Sequence, residues 1–167
     1  REQRDAQAAL ELLVMAREQH IPVFFDHGPE MAFASAEQIQ TVLRNCNTLL
    51  MTEDEIPFIT GGAQGLEAVR GLLEYGPEMI CIKRAANGCI LLTAQQYFEH
   101  PGFQVPARDP TGAGDSFAAA FIYASLAGWD PSIIITFANA MGAAKVQKVG
   151  SGTQVPTADE IRDILHH

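Results

Sequence analysis

Residues 109–117 read Asp109-Pro110-Thr111-Gly112-Ala113-Gly114-Asp115-Ser116-Phe117, and an apolar, alanine-rich run continues from there to Leu126. A run that is apolar on nearly every side predicts a buried helix. The first turn of such a helix presents unpaired N–H groups and the positive end of the helix dipole. The residues Gly112, Ala113 and Gly114 are small enough for a phosphate to approach this backbone closely, so the pattern indicates an anion hole.

Asp115 lies in the first turn of the same predicted helix, beside whatever group the N–H donors hold. If they hold a phosphoryl group, the carboxylate can accept the proton of an attacking hydroxyl. Aspartate is also a common helix cap, so spacing alone leaves a structural role open. The two glycines and the adjoining Asp109 and Thr111 favour the functional interpretation.

The rest of the chain alternates between helical and strand patterns. Helices are predicted at residues 4–19, 35–44 and 64–74 and over most of the chain after residue 111, and strands at residues 21–25, 48–51, 79–83 and 89–93, with one more within 97–105. This alternation predicts an α/β fold in a single domain over residues 1–167, with a mainly parallel sheet covered by helices on both faces.

Ligands of such sheets bind at the carboxyl ends of the strands. Asp26, the turn at residues 52–55, the loop at residues 84–88 and the loop at residues 109–115 all follow predicted strands or lie near such ends. We therefore expect the functional residues to come from these segments.

Composition excludes several classes of function. Apolar residues make up 47% of the 167 residues and charged residues 19%, as in ordinary globular proteins. The net charge of −9 argues against a nucleic-acid partner, although a nucleotide can still be held by backbone amides. Charge, glycine or proline interrupts every apolar stretch before it reaches transmembrane length, so no membrane partner is expected.

The cysteines and the first residue indicate the cellular compartment of the protein and the extent of its chain. Cys46, Cys81 and Cys89 form no C-x-x-C pair, and we expect them to be buried thiols of a cytoplasmic protein. The chain begins at Arg1 without the apolar segment of a signal peptide, and we expect it to be part of a longer protein.

The Asp109–Phe117 run closely resembles the D-x-T-G-A-G-D motif of the ribokinase-like (PfkB) carbohydrate kinases, and the similarity extends from about Val23 to Leu165. It implies a ribokinase-like three-layer α/β/α fold whose N-terminal part and lid lie outside this sequence. It also implies transfer of the γ-phosphate of ATP to a sugar-type hydroxyl with the help of Mg²⁺. Asp115 would be the catalytic base, and the Gly112-Ala113-Gly114 backbone would form the anion hole.

The resemblance also assigns binding roles outside the anion hole. Asp109 and Thr111 would help to hold a monovalent cation such as K⁺, and the Gly150 carbonyl would complete that site. A turn whose Asp and Thr satisfy local backbone is the alternative. Asn139 matches a position that lines the adenine pocket, although a helix residue bonded to a neighbouring carbonyl would look the same. Lys145 is expected to have a structural role at a helix end, as is Lys148.

Two loops depart from the family pattern. Where N-x-x-E is usual, this chain has Thr52-Glu53-Asp54-Glu55, so Glu55 keeps the acid that would contact Mg²⁺ through water; Thr-x-x-Glu is also a capping box. Where the family has a K-x-G-x-x-G-like nucleotide loop, this chain has Lys83-Arg84-Ala85-Ala86-Asn87-Gly88, in which Lys83 and Gly88 remain. Asn-Gly is equally typical of a hairpin turn of type I′. His27 is expected to be a surface loop residue.

The lid of the family excludes water, orients the acceptor and often mediates dimers. Without it, we expect the isolated chain to be weakly active or inactive, so little sugar-dependent ATP turnover should be measured. A homodimer is expected of the full-length parent.

Two other classes remain as alternatives. Ser116 in a Gly-Asp-Ser sequence, with Asp163 and His166, resembles the catalytic residues of GDSL-type esterases, but no apolar strand precedes it and the interval is short. A non-catalytic nucleotide-binding or interaction domain would keep the same pattern. A Walker-type NTPase is excluded because the sequence contains no GxxxxGK[ST].

Overall fold

The computed structural model describes residues 2–150 and 152–166. Its helices are α1 (Glu2–Glu18), α2 (Ala36–Asn45), α3 (Ile56–Ile59), α4 (Leu66–Gly71), α5 (Ala113–Leu126), α6 (Pro131–Val146) and α7 (Ala158–His166). Its strands are β1 (Phe24–Asp26), β2 (Thr48–Thr52), β3 (Met79–Lys83), β4 (Cys89–Thr93) and β5 (Tyr97–His100). Short 3₁₀ turns span Pro29–Phe33, Glu53–Glu55, Leu72–Tyr75 and Ala85–Asn87.

The strands form one five-stranded sheet in the order β1-β2-β3-β4-β5. Strands β1 and β2 run parallel, with Phe24 opposite Thr48 and Asp26 opposite Leu50. The predicted α/β fold with a mainly parallel sheet flanked by helices is confirmed. The helices described are too short or too polar to cross a bilayer.

By their internal packing the residues divide into two compact units, residues 1–82 with 92–96 and residues 83–91 with 97–167. The single domain predicted over residues 1–167 stays a prediction.

The first unit is built around strand β2. Its residues Leu49, Leu50 and Met51 are completely buried, as a continuous apolar run in a covered strand requires. Helix α2 begins with a capping box, in which the Ser35 hydroxyl accepts from the Gln38 amide and the Gln38 side chain accepts from the Ser35 amide. This reciprocal pair fixes where α2 starts.

The second unit contains the helix pair α5 and α6. A Cβ at Gly142 of α6 would lie 3.7 Å from the Ala113 carbonyl oxygen, so the two helices pack closely where α5 begins. Helix α7 packs through Ile161 and Ile164 against the α6 residues Ala140, Ala143 and Ala144. The start of α5 is thus supported by α6.

The prediction that α5 is buried on every side is wrong. Phe117, Phe121 and Ala124 are buried, but Tyr123 is 62% exposed. An aromatic contact with Trp129 holds the exposed Tyr123 ring, at a centroid distance of 5.9 Å. The apolar outer face of α5 is therefore partly a surface face, and only the opposite face belongs to the core.

Candidate functional site

The first turn of α5 has free hydrogen-bond donors. Gly112 precedes the helix with φ 76° and ψ 7°, a left-handed conformation that glycine adopts readily. The Ala113 amide donates to the Pro110 carbonyl at 3.0 Å, and the Ser116 amide donates to the Gly112 carbonyl at 3.0 Å. Within residues 2–150 and 152–166, the amides of Gly114 and Asp115 donate to no protein acceptor. These two N–H groups are therefore available to an anion.

Asp115 stands beside these donors and is exposed. It lines a cavity of about 240 Å³ whose wall is formed by Gly112, Asp115, Ser116, Ala119, Met141, Lys145, Gly152 and Val155. A Cβ at Gly114 would meet no described atom within 4 Å, so nothing crowds the backbone at this point. The Asp115 carboxylate is consequently accessible from this cavity, as a base beside a phosphoryl group must be.

Both carboxylate oxygens of Asp109 accept hydrogen bonds from the protein's own backbone. One of its carboxylate oxygens accepts from the Thr111 amide at 2.9 Å, and the other accepts from the Gly150 amide at 2.8 Å. Hydrogen bonds from the Thr111 side chain and the Gly150 amide lower the pKa of Asp109 to about 2. The carboxylate thus joins the loop before α5 to the loop after α6. This is the arrangement expected of the structural alternative.

Further backbone contacts support the same junction. The amides of Arg108 and Asp109 both donate to the Val146 carbonyl, at 2.7 and 3.1 Å. Because Val146 ends α6, the segment that leads into Gly112 is held against the end of that helix.

The Gly150 carbonyl, expected to ligate a monovalent cation, accepts a hydrogen bond from the Lys145 Nζ at 2.6 Å. Lys145 is 3% exposed and belongs to the last turn of α6. The sequence predicts for this lysine only a structural role at the end of a helix. The contact between its ammonium and a predicted cation ligand was not predicted, although a lysine within the apolar run Ala143-Ala144-Lys145-Val146 was an available signal.

Asn139 lies in the middle of α6 and is 7% exposed. Its Nδ2 donates to the Ile135 carbonyl at 2.7 Å and lies 3.1 Å from the Cys89 Sγ. These contacts are those of the structural alternative, a helix residue bonded to a neighbouring carbonyl. Its place in an adenine pocket stays a prediction.

The loop at residues 84–88 does not form the type I′ turn that Asn87-Gly88 suggested. That turn needs positive φ at both residues, whereas among the described non-glycine residues only His20 and Ala85 have it. Instead, residues 85–87 make a 3₁₀ turn in which Ala85 has φ 49°. The alanine at the position of the first glycine of the family pattern thus has a positive φ, which glycine adopts more readily.

Gly88 is required by close backbone packing. It is buried with φ 79° and ψ −132°, and a Cβ there would collide with the His100 carbonyl oxygen and the Gly102 amide nitrogen. Gly102 was not singled out from the sequence, yet it has φ 80°, and a Cβ there would lie only 2.8 Å from the Gly88 amide nitrogen. Lys83, the other predicted nucleotide contact, ends β3 and is partly buried.

In the first unit, Glu55 is partly buried and accepts from the Thr52 amide at 2.7 Å. This bond is half of the capping box that was its structural alternative. The expectation that His27 is a surface residue is wrong, because the ring is buried and its Nδ1 lies 3.5 Å from the Glu55 Oε2. The His27 amide donates to the Leu50 carbonyl and continues the pairing of β1 with β2, which brings the ring inside.

In the part of the chain that the structure describes, no three side chains of His, Cys, Asp or Glu come together as a metal site. A Mg²⁺ ion held mainly by substrate phosphates needs only one or two protein carboxylates. Glu55 as an indirect Mg²⁺ contact therefore stays a prediction.

Comparison with known proteins places these features in a family context. The model of the pfkB family carbohydrate kinases matches residues 3–158. An ATP-dependent ribose-1-phosphate kinase of Halopiger xanaduensis is 30% identical over 157 residues, covering 90% of this chain and 48% of the relative. The chain spans about half the length of the curated relatives it matches.

Solved structures show the same likeness. A candidate ribokinase II from E. coli, in complex with ATP and Mg²⁺, superposes with a TM-score of 0.83 at 25% identity, covering 92% of this chain and 51% of that one. Aminoimidazole riboside kinase from Salmonella enterica, complexed with aminoimidazole riboside and an ATP analog, superposes with a TM-score of 0.81 at 28% identity, covering 96% and 57%.

Proposed function

Because the chain belongs to the pfkB family of carbohydrate kinases, we propose that it is the ATP-binding, catalytic half of a kinase that phosphorylates a sugar or sugar-like alcohol. The observation that supports this most directly is the exposed Asp115 carboxylate, which lies on one cavity with Gly112 and next to the unpaired amides of Gly114 and Asp115.

In the proposed reaction the acceptor hydroxyl oxygen attacks the γ-phosphorus of ATP, and the bond from that phosphorus to the bridging oxygen of ADP breaks. The hydroxyl proton moves to the Asp115 carboxylate. The first-turn amides of α5 stabilise the negative charge on the transferred phosphoryl oxygens. The Ala113 amide is already bonded to Pro110, so Gly114 and Asp115 supply the donors in this proposal.

The relatives that bind ATP and Mg²⁺ support the same cofactors here. Mg²⁺ would neutralise charge on the β- and γ-phosphates, and Glu55 is the proposed indirect contact. Lys83, Gly88 and Asn139 are the proposed nucleotide contacts.

The substitution Asp115→Asn in the full-length parent tests the proposal. It removes the proton acceptor and keeps the shape and the amide donors, so phosphoryl transfer should fall by about 10²–10⁴-fold. Binding of a non-hydrolysable ATP analogue, measured by calorimetry, should persist. Ser116→Ala is the matched control on the next residue and should leave the transfer rate nearly unchanged.

The same pair of variants separates the alternatives. A non-catalytic nucleotide-binding domain would bind the analogue but show no transfer even as wild type. An esterase would lose ester hydrolysis with Ser116→Ala. Against the esterase, residues 101–112 contain no strand before Ser116.

We further propose that the parent is a cytoplasmic homodimer and that this chain alone turns over little ATP, since it covers about half of its relatives. A sugar-dependent ATPase assay of the isolated chain compared with the parent checks the second point. Equal rates for both would contradict it.

A further inference from the structure

A buried ammonium contacts one of the ligands that the family resemblance gives to a monovalent cation. The expected monovalent-cation site consists of Asp109, Thr111 and the Gly150 carbonyl. In the structure, the Gly150 carbonyl accepts from the Lys145 Nζ at 2.6 Å. Both Asp109 oxygens accept N–H donors, from Thr111 at 2.9 Å and from Gly150 at 2.8 Å.

The hydrogen bonds to these oxygen atoms do not suit the binding of a K⁺ ion. An alkali cation binds several oxygen atoms at once, and each of three oxygens expected to serve it already accepts one hydrogen bond from the protein, which leaves only its second lone pair. A cation at the Gly150 carbonyl would also lie close to the Lys145 ammonium that bonds to the same oxygen, and two positive charges on one carbonyl oxygen repel each other. The site as built therefore disfavours the ion that the resemblance implies.

The lysine supplies the charge that the ion would have supplied. Lys145 is 3% exposed, and its positive charge contributes to the lowered pKa of Asp109. A buried ammonium is retained only when its hydrogen bonds and a nearby negative charge compensate the loss of water. The Gly150 carbonyl and the Asp109 carboxylate provide that compensation within one loop junction.

We infer that the Lys145 ammonium replaces the monovalent cation of this family, so that the parent protein needs no K⁺ to hold the loop that enters α5. This inference goes beyond the proposed kinase activity and does not depend on it, because it concerns how residues 109–115 are held in place.

Thermal unfolding of the full-length parent tests the inference without reference to activity. The melting temperature is measured in KCl, NaCl and tetramethylammonium chloride at equal ionic strength. We expect the wild type to melt at the same temperature in all three salts. A higher melting temperature of the wild type in KCl alone would overturn the inference.

The substitution Lys145→Ala should make the melting temperature depend on K⁺. It removes the ammonium and leaves space and an unpaired Gly150 carbonyl, so the variant should melt lower than wild type in tetramethylammonium chloride and regain part of that loss specifically in KCl. Lys148→Ala is the matched control. Lys148 Nζ contacts the Val155 carbonyl and Glu160 at 3.1 and 2.8 Å, and its loss should cause no preference for K⁺.

A Lys145→Ala variant that melts alike in all three salts would show that the lysine only caps α6, and this would also overturn the inference. If that variant does not fold, the comparison of salts on the wild type still decides. Where ATP turnover is detectable, the wild type should show equal rates in K⁺ and tetramethylammonium, and stimulation by K⁺ would count against the replacement. A failure of the kinase proposal would instead appear as absent turnover with an unchanged thermal result.

Discussion

Substitution of Gly88 by alanine distinguishes a glycine kept for the protein's own backbone from one kept for a nucleotide. Gly88 has φ 79° and ψ −132°, a region of backbone conformation that side-chain-bearing residues rarely adopt. A new Cβ would also collide with the His100 carbonyl oxygen and the Gly102 amide nitrogen. Both are main-chain atoms, which cannot move aside as the end of a side chain can.

The free energy of unfolding should fall by about 2–4 kcal/mol. A positive φ with ψ −132° costs an alanine about 1–3 kcal/mol, and forcing an atom into a filled space adds about 1–3 kcal/mol. The smaller entropy of the unfolded alanine chain offsets about 0.4–1 kcal/mol of this. Gly128→Ala is the control, because Gly128 has φ 71° but no described atom lies within 4 Å of its Cβ position. It should cost between about 0 and 1.6 kcal/mol, since no steric overlap is added to the backbone cost.

Urea unfolding of the full-length parent measures both variants, and binding of an ATP analogue is measured at a temperature where both are folded. The structural interpretation requires that Gly88→Ala is clearly less stable than Gly128→Ala. If the two variants are equally stable and only Gly88→Ala binds the analogue weakly, the interpretation from backbone packing is refuted and the nucleotide role is supported.

Three other outcomes are expected. Ala85→Gly should stabilise the protein by about 0.5–1 kcal/mol, because glycine removes the strain of φ 49° but enlarges the unfolded ensemble; an unchanged urea midpoint would contradict this. The pKa of Asp109 is depressed to about 2, so its ionised form stabilises the fold above about pH 4 and that contribution is lost as the pH falls through about 2. The stability difference between wild type and Asp109→Asn should therefore shrink over this range, and a difference independent of pH would argue against it. Burial raises the pKa of the Cys46 thiol to about 12, so iodoacetamide at neutral pH should modify it only in the unfolded protein, as mass spectrometry can show; rapid labelling of the native protein would contradict this.

The strands and most helices could be predicted because their sequence patterns match their burial. Leu49-Leu50-Met51 is a continuous apolar run, and all three residues are completely buried in β2. The pattern failed where apolar residues are not buried. Ile21 is 56% exposed and lies outside β1, since strand pairing with β2 begins only at Phe24. Apolar character alone does not show which residues a neighbouring strand will cover.

At the candidate site, the local features were predictable and the contacts across the chain were not. The start of α5 and the position of Asp115 follow from the glycines and the apolar run. The bond from the Gly150 amide to the Asp109 carboxylate joins residues 41 positions apart, and no spacing in the sequence reveals it. His27 was misjudged for a similar reason, because its burial follows from the pairing of β1 with β2, and its neighbour Glu55 is far along the chain.

Because Asp109 accepts two hydrogen bonds, one of them from Gly150, residues 109–117 would not keep their conformation if they were transferred alone to another protein. A graft of residues 109–117 onto another scaffold would carry the glycines and the carboxylate, but it would leave behind the Val146 carbonyl and the Gly150 amide that anchor them. An engineer who wishes to transfer this loop must transfer the end of α6 and the turn after it as well. Conversely, substitutions at residues 146–150 would change how the loop before α5 is held in place without altering any residue of the motif itself.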